Sequence, residues 1–229
     1  MKILAVETST DACSAALLID EQVKQAFEIA PRKHTQLILN QIDSMLAEAD
    51  IKINDIDAIA FARGPGAFTG LRIAAGLTQG IALACDIPAI AVSTLAAMAQ
   101  QSFQRFQTEK MYVALDARMN QVYWGEYYIN KGFVELQAEE LVISPKDLAK
   151  RNEADNVGIG SGWQAYQTDL QERVQSKTTP DLQAIHPAAK QVAQLAAEQY
   201  KLGNILSAEQ VQPVYLRNKV AQTLQERGL

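Results

Sequence analysis

Histidine and cysteine are scarce in this chain, with two of each in 229 residues. His34 and His186 lie far apart and have no cysteine, histidine or carboxylate at ligand spacing, so no metal centre is expected. Cys13 and Cys85 sit in apolar strand or helix contexts and read as reduced core thiols of a cytosolic protein, not as a disulfide framework. Basic clusters are missing too. The formal net charge is −5, and no stretch gathers the lysines and arginines that phosphate contacts need, which argues against a chain that grips nucleic acid unaided. No low-complexity segment, long linker or apolar run of membrane-spanning length is read. Met1 leads directly into a strand-like segment, so no signal peptide is expected. Neither G-x-G-x-x-G nor a P-loop is present, since no lysine follows Gly70. Ser9, Ser14, Ser93 and Ser161 lie outside G-x-S-x-G, and no Ser/His/Asp triad can be nominated.

What is there centres on residues 63–73, Arg63-Gly64-Pro65-Gly66-Ala67-Phe68-Thr69-Gly70-Leu71-Arg72-Ile73, between an apolar run (Ile56 to Phe61) and an Ala-rich one. Three glycines and a proline predict a strand, a tight turn and a helix capped at Thr69 or Gly70. Such a turn either offers backbone N–H groups to an anion or is a bare strand-to-helix connection. From Leu71 to Cys85 the helix carries one charge, Arg72, and two polar side chains, Thr78 and Gln79. A helix apolar on nearly every face is covered on more than one side. At about fifteen residues it is too short for a bilayer. It is therefore either a central core helix or one pressed between its own sheet and a partner, with Ala75, Gly76 and Gly80 permitting close approach.

The order of elements repeats. Strands at Ile3 to Val6, Cys13 to Ile19 and Gln22 to Ile29 precede a helix from His34 to Ala49, the glycine turn with its helix, and a strand at Ala89 to Val92. After a polar boundary at Ser102 to Lys110 come strands at Met111 to Leu115, Val122 to Tyr128 and Phe133 to Leu136, a helix from Ser144 to Arg151, and a glycine turn at Gly160-Ser161-Gly162. A shift of 109 positions places Glu7 on Asp116 and Cys13 on Val122 without a gap, and Gly64 and Gly66 match Gly160 and Gly162. Two copies of βββαβα predict an α/β, actin-like (ASKHA, ribonuclease H-like) fold of two lobes about a cleft. The expected lobes are 1–105, joined by 211–229, and 106–210. A further amphipathic helix is read from Ala188 to Gly203.

An actin-like cleft that handles phosphate needs open, glycine-rich turns beside an acid. Here the turns are Glu7-Thr8-Ser9-Thr10-Asp11 and Asp116-Ala117-Arg118-Met119-Asn120, short of glycine and, in the second, bulky. Thr8, Ser9, Gly64, Gly66, Asp116 and Arg118 therefore read as a vestigial phosphate or nucleotide cleft. On the first long helix, Ile38, Leu39, Ile42, Met45, Leu46 and Ala49 form one stripe, and Leu37 falls beside Gln41. With the Ala-rich helix this suggests a docking face of His34, Leu37, Ile38, Gln41, Met45, Leu71, Arg72, Ala75, Gly76, Gln79 and Gly80.

Glu7-Thr8-Ser9 after an apolar strand, the 64–72 turn, Leu115-Asp116-Ala117-Arg118 and Pro213-Val214-Tyr215-Leu216-Arg217 together resemble the bacterial TsaB (YeaZ) family. Ala67 stands where that family commonly has serine. The resemblance implies a scaffold that pairs with the homologous enzyme TsaD, which transfers a threonylcarbamoyl group to N6 of the adenosine beside the anticodon in transfer RNAs reading codons that begin with A. It also implies the ATPase TsaE as a partner, homodimers through much the same helical face, transfer RNA met mainly through the complex, and a cytoplasmic setting. ATP and metal then belong to the partners, with no cofactor in this chain. Of TsaD's His-x-x-x-His metal pair, only His34 has a counterpart, and Ile38 occupies the second position. The wider family's glycoprotease label leaves a hydrolase as the alternative, and a small-molecule kinase as a third.

Overall fold

The computed structural model describes residues 1–151 and 155–217. Its first sheet has the order β3-β2-β1-β4-β5, built from β1 (Lys2–Glu7), β2 (Ala12–Ile19), β3 (Gln22–Ile29), β4 (Ala58–Gly64) and β5 (Ala89–Ser93). β1 pairs antiparallel with β2 and parallel with β4, and is apolar on both faces because helices cover both. On one face α1 (His34–Glu48) and α2 (Phe68–Cys85) pack over Leu4, Val6, Cys13 and Phe61. The other face holds Ile3, Ala5, Ile90 and Val92. Part of its cover is α3 (Thr94–Phe106), which Ser93 caps by accepting from the Ala96 N–H.

The second sheet has the order β10-β6-β7-β8, from β6 (Lys110–Asp116), β7 (Val122–Asn130), β8 (Phe133–Leu136) and β10 (Val157–Ile159); an unanticipated β9 (Leu141–Ile143) also pairs with β7. α4 (Ser161–Arg173) packs on it through Trp163 and Leu170, and α5 (Pro180–Gln183) follows. The expected helix at 144–151 is a 3-10 turn, Pro145–Asp147, since only Pro145 and Leu148 are buried there. The fold is the duplicated actin-like α/β architecture, with that helix of the second lobe reduced to a turn.

Three expectations need correcting. The first concerns the gapless repeat. Six residues lie between the paired Glu7 and Ser14, against five between Asp116 and Val122 and seven between Leu115 and Tyr123, so the two turns do not match without a gap. Leu4 and Val6 face α2, whereas Tyr112 and Ala114 face α4; matching those faces sets Leu4 on Tyr112 and Glu7 on Leu115. A slip of one residue turns a strand over, so Glu7 and Asp116 are not equivalents. The second concerns the lobe boundary. α6 (Ala189–Lys201), assigned above to the second lobe, packs Ala189, Val192, Ala193 and Ala196 on the first sheet, and Leu206 bridges to Ala89. The third concerns α2. It starts at Phe68 after Ala67, because the Ala67 N–H donates to the Ser9 carbonyl at 2.6 Å and fixes the chain's entry. At eighteen residues and mean hydropathy 1.2 it is, by length and composition, long enough to cross a membrane, yet its inner side packs on the first sheet.

Candidate functional site

Between the lobes lies a cleft of about 850 Å³. Of the six residues expected there, Ser9, Gly66, Asp116 and Arg118 line it, while Thr8 and Gly64 sit buried behind it. The glycine turn closes on the β1–β2 turn. A Cβ on Gly66 would stand 2.5 Å from the Ser9 carbonyl oxygen, and one on Gly70 would run into that of Thr8. Thr8 seals the contact by donating Oγ1–H to the Gly70 carbonyl at 2.7 Å. These glycines therefore serve backbone-to-backbone packing and leave no open cradle.

Beneath Ser9 lies Glu7, fully buried, whose Oε1 accepts the Ser9 N–H in a short hydrogen bond. Its Oε2 has no partner. Burial pushes the Glu7 carboxyl from 4.5 up to about 7, against the opposing pull of the hydrogen bonds from Ser9. Across the cleft, Asp116 accepts from the Arg118 N–H at 2.8 Å, the Arg118 guanidinium at 2.9 Å and the Tyr166 hydroxyl at 3.3 Å. That carboxylate is occupied. His34 directs Nε2 at the Thr10 and Ala12 carbonyls, at 2.8 and 3.2 Å, and is a structural tie at the start of α1. Among the described residues no three His, Cys, Asp or Glu side chains converge.

Sequence reasoning missed two features. The first is a polar knot joining the lobes. Glu140, with its side chain 4% exposed, accepts from the Arg63 guanidinium at 3.2 Å, from the Tyr127 hydroxyl at 2.6 Å and, in a short bond, from Ser93. Burial, and then the carboxylate beside it, hold the Tyr127 phenol well above its usual range. Glu140 sits in a loop with no periodicity that could have marked it. The second is the cleft's rim. Phe68 and Tyr215 pack with ring centroids 5.0 Å apart, Arg72 lies 3.8 Å over the Phe68 ring, and Arg217 reaches the Arg118 carbonyl and Gln121. The sequence marked Phe68, Arg72, Arg118, Tyr215 and Arg217 in separate motifs but gave no sign that they meet. His186 also lines the cleft, its imidazole pKa lowered by burial.

The helical face divides. His34, Ile38, Met45, Leu71 and Ala75 are buried in the first lobe's own core, so their side chains are spent internally. Arg72, Gly76, Gln79 and Gly80 are exposed, and Leu37 and Gln41 are half-buried. Leu39, expected on the inner stripe, is 52% exposed, because α1 is rolled so that Leu37 packs inward instead. Among the described residues, and apart from the backbone of α2 itself, nothing lies within 4 Å of a Cβ built on Gly76 or Gly80, and Leu83 is 68% exposed beside them. This leaves an open strip of small and apolar residues along α2.

The duplicated sheets and the glycine turn packed against Thr8 and Ser9 define a protein of actin-like fold. Residues 25–224 match the family described as "TsaD: tRNA N6-adenosine threonylcarbamoyltransferase". A relative named tRNA threonylcarbamoyladenosine biosynthesis protein TsaB, from Escherichia coli (strain K12), is 39% identical over 225 residues, covering 96% of each chain. The solved YeaZ from Pseudomonas aeruginosa is 40% identical, with a TM-score of 0.88 over 94% of this chain and 99% of that one. A tRNA N6-adenosine threonylcarbamoyltransferase from Pelodictyon phaeoclathratiforme (strain DSM 5477 / BU-1) is 34% identical over 112 residues, 42% of this chain and 32% of that protein. The chain belongs to the TsaB (YeaZ) family.

Proposed function

We propose that this chain is a non-catalytic subunit of the machinery for tRNA threonylcarbamoyladenosine biosynthesis, docking on a TsaD-type homologue through α1 and α2. The biosynthetic role follows the relatives that carry the TsaB name. The observation that carries the docking reading is the open strip on α2. Gly76 and Gly80 lower helix propensity by about 1 kcal/mol each relative to alanine, and a Cβ on either would meet open space among the described residues. Two such residues facing outward suit the close approach of a second backbone. A TsaD-type chain suits that place because it shares this chain's ancestry, and two related lobes present similar helices to one another.

In this reading the TsaE-type ATPase joins the pair, transfer RNA is met mainly through the complex, and homodimers form on the same strip when the partner is absent. ATP and metal belong to the partners, and the assembly works in the cytoplasm. The Asp116 carboxylate, tied to Arg118 and Tyr166, and the His34 imidazole, tied to the Thr10 and Ala12 carbonyls, support the non-catalytic assignment over a hydrolase.

The test is co-elution with the TsaD-type protein. Gly76→Arg, on a helix face with room for it, should leave the melting temperature within a few degrees while abolishing the complex and the modified adenosine. Full co-elution of a folded Gly76→Arg variant would sink the docking assignment.

A further inference from the structure

The rim of the cleft carries groups beyond the open strip of Gly76, Gly80 and Leu83. Phe68 and Tyr215, 36% and 40% exposed, both line the cavity. Arg72 clamps them from outside, 3.8 Å over the Phe68 ring and with its Nε–H donating to the Tyr215 hydroxyl at 3.3 Å. On the facing wall Arg118, 84% exposed, pairs with Asp116 through one edge of its guanidinium. Arg217 is braced against the Arg118 carbonyl and Gln121. The first turns of α2 and α4, at Phe68 and Ser161, open on the same cavity, each with leading N–H groups that have no intrahelical acceptor.

Pre-arranged aromatic rings with guanidinium groups on both sides are what a base and its phosphate require, the ring face for stacking and the cations for charge. We propose that this rim binds an unpaired nucleotide of an RNA strand, its base stacked on Tyr215 and its phosphate between Arg118 and Arg217. The choice of RNA rests on the proposed role in tRNA modification; the site itself rests on the rim's geometry. A free nucleotide buried at the cleft floor fits poorly, since the glycine turn there is packed against Thr8 and Ser9. A paired duplex fits poorly as well, because its bases have no free face to stack. Local charge nearly balances, as Asp11 and Asp116 also line the cavity, so binding is weak and sensitive to salt.

The full chain alone is titrated by fluorescence anisotropy, at low salt, with an RNA hairpin bearing a single-stranded loop, with a fully paired duplex, and with AMP as competitor. The hairpin should bind at least about tenfold tighter than the duplex, and AMP should compete only at far higher concentration. Tyr215→Ala should weaken hairpin binding about tenfold and Tyr215→Phe less than about twofold, because stacking needs the ring and not the hydroxyl. Arg118→Ala, at a site 84% exposed and safe for folding, should weaken binding and lower the salt slope by about one. Absence of hairpin binding, equal affinity for duplex or AMP, or indifference to both Tyr215→Ala and Arg118→Ala would overturn the site. Arg118→Ala should still co-elute with the TsaD-type partner, so a lost complex counts against docking and a lost RNA signal counts against the rim.

Discussion

Two glutamates lie deep in this molecule and are treated in opposite ways. Glu140 has an arginine, a tyrosine and a serine on its two oxygens, and those partners come from both lobes. Glu7 has the Ser9 N–H on one oxygen and nothing on the other. Burial disfavours a carboxylate in both places, and what separates them is compensation. Where the lobes must be held together, the charge is matched. At the base of the cleft it is not, and the carboxyl is driven up to about 7.

The largest effect should come from unmatching Glu140. Arg63→Met leaves its carboxylate without a cation and should cost about 3–4 kcal/mol in urea unfolding. A loss under about 1 kcal/mol would mean that the two hydroxyls suffice. Next comes Glu7. Its folded pKa is raised, so the stability present below pH 4.5 is lost as pH rises through about 7. Glu7→Gln should therefore be about 2–3 kcal/mol more stable than wild type at pH 8 and indistinguishable from it at pH 4. The same gain at both values would show that the carboxylate does not titrate there. Smallest is Tyr127→Phe, which removes one donor to Glu140 and keeps the ring, and should cost about 1.5 kcal/mol.

Much of the architecture was legible because periodicity reports on it directly. The meander of β1 to β3, α1 and the glycine turn with its helix follow from alternation, helical spacing and Gly/Pro punctuation. The errors came where local pattern is silent about partners. Leu37 and Leu39 lie symmetrically about Ile38 on a helical wheel, and only packing on β2 decides that Leu37 turns in. Strand alternation could not reveal that the two turns differ in length by a residue, although that residue decides whether Glu7 and Asp116 correspond. Residues 144–151 have helical composition but too few apolar anchors to hold a helix down. In the cleft, Ser9, Gly66, Asp116 and Arg118 were found from the turns, whereas Glu140 and Tyr215 depend on contacts between segments 77 and 143 residues apart.

The return of α6 to the first sheet bears on how the protein is made. Ile90 and Val92 are made about a hundred residues before the helix that shields them, and Ile3 and Ala5 about 185 residues before it. Until Ala189 to Lys201 arrives, the growing chain carries a partly bare, greasy sheet, the kind of surface that aggregates or engages a chaperone. Nascent chains arrested before that helix should accordingly be held by chaperones and digested readily by proteases, and both traits should vanish once Ala189 to Lys201 has left the ribosome.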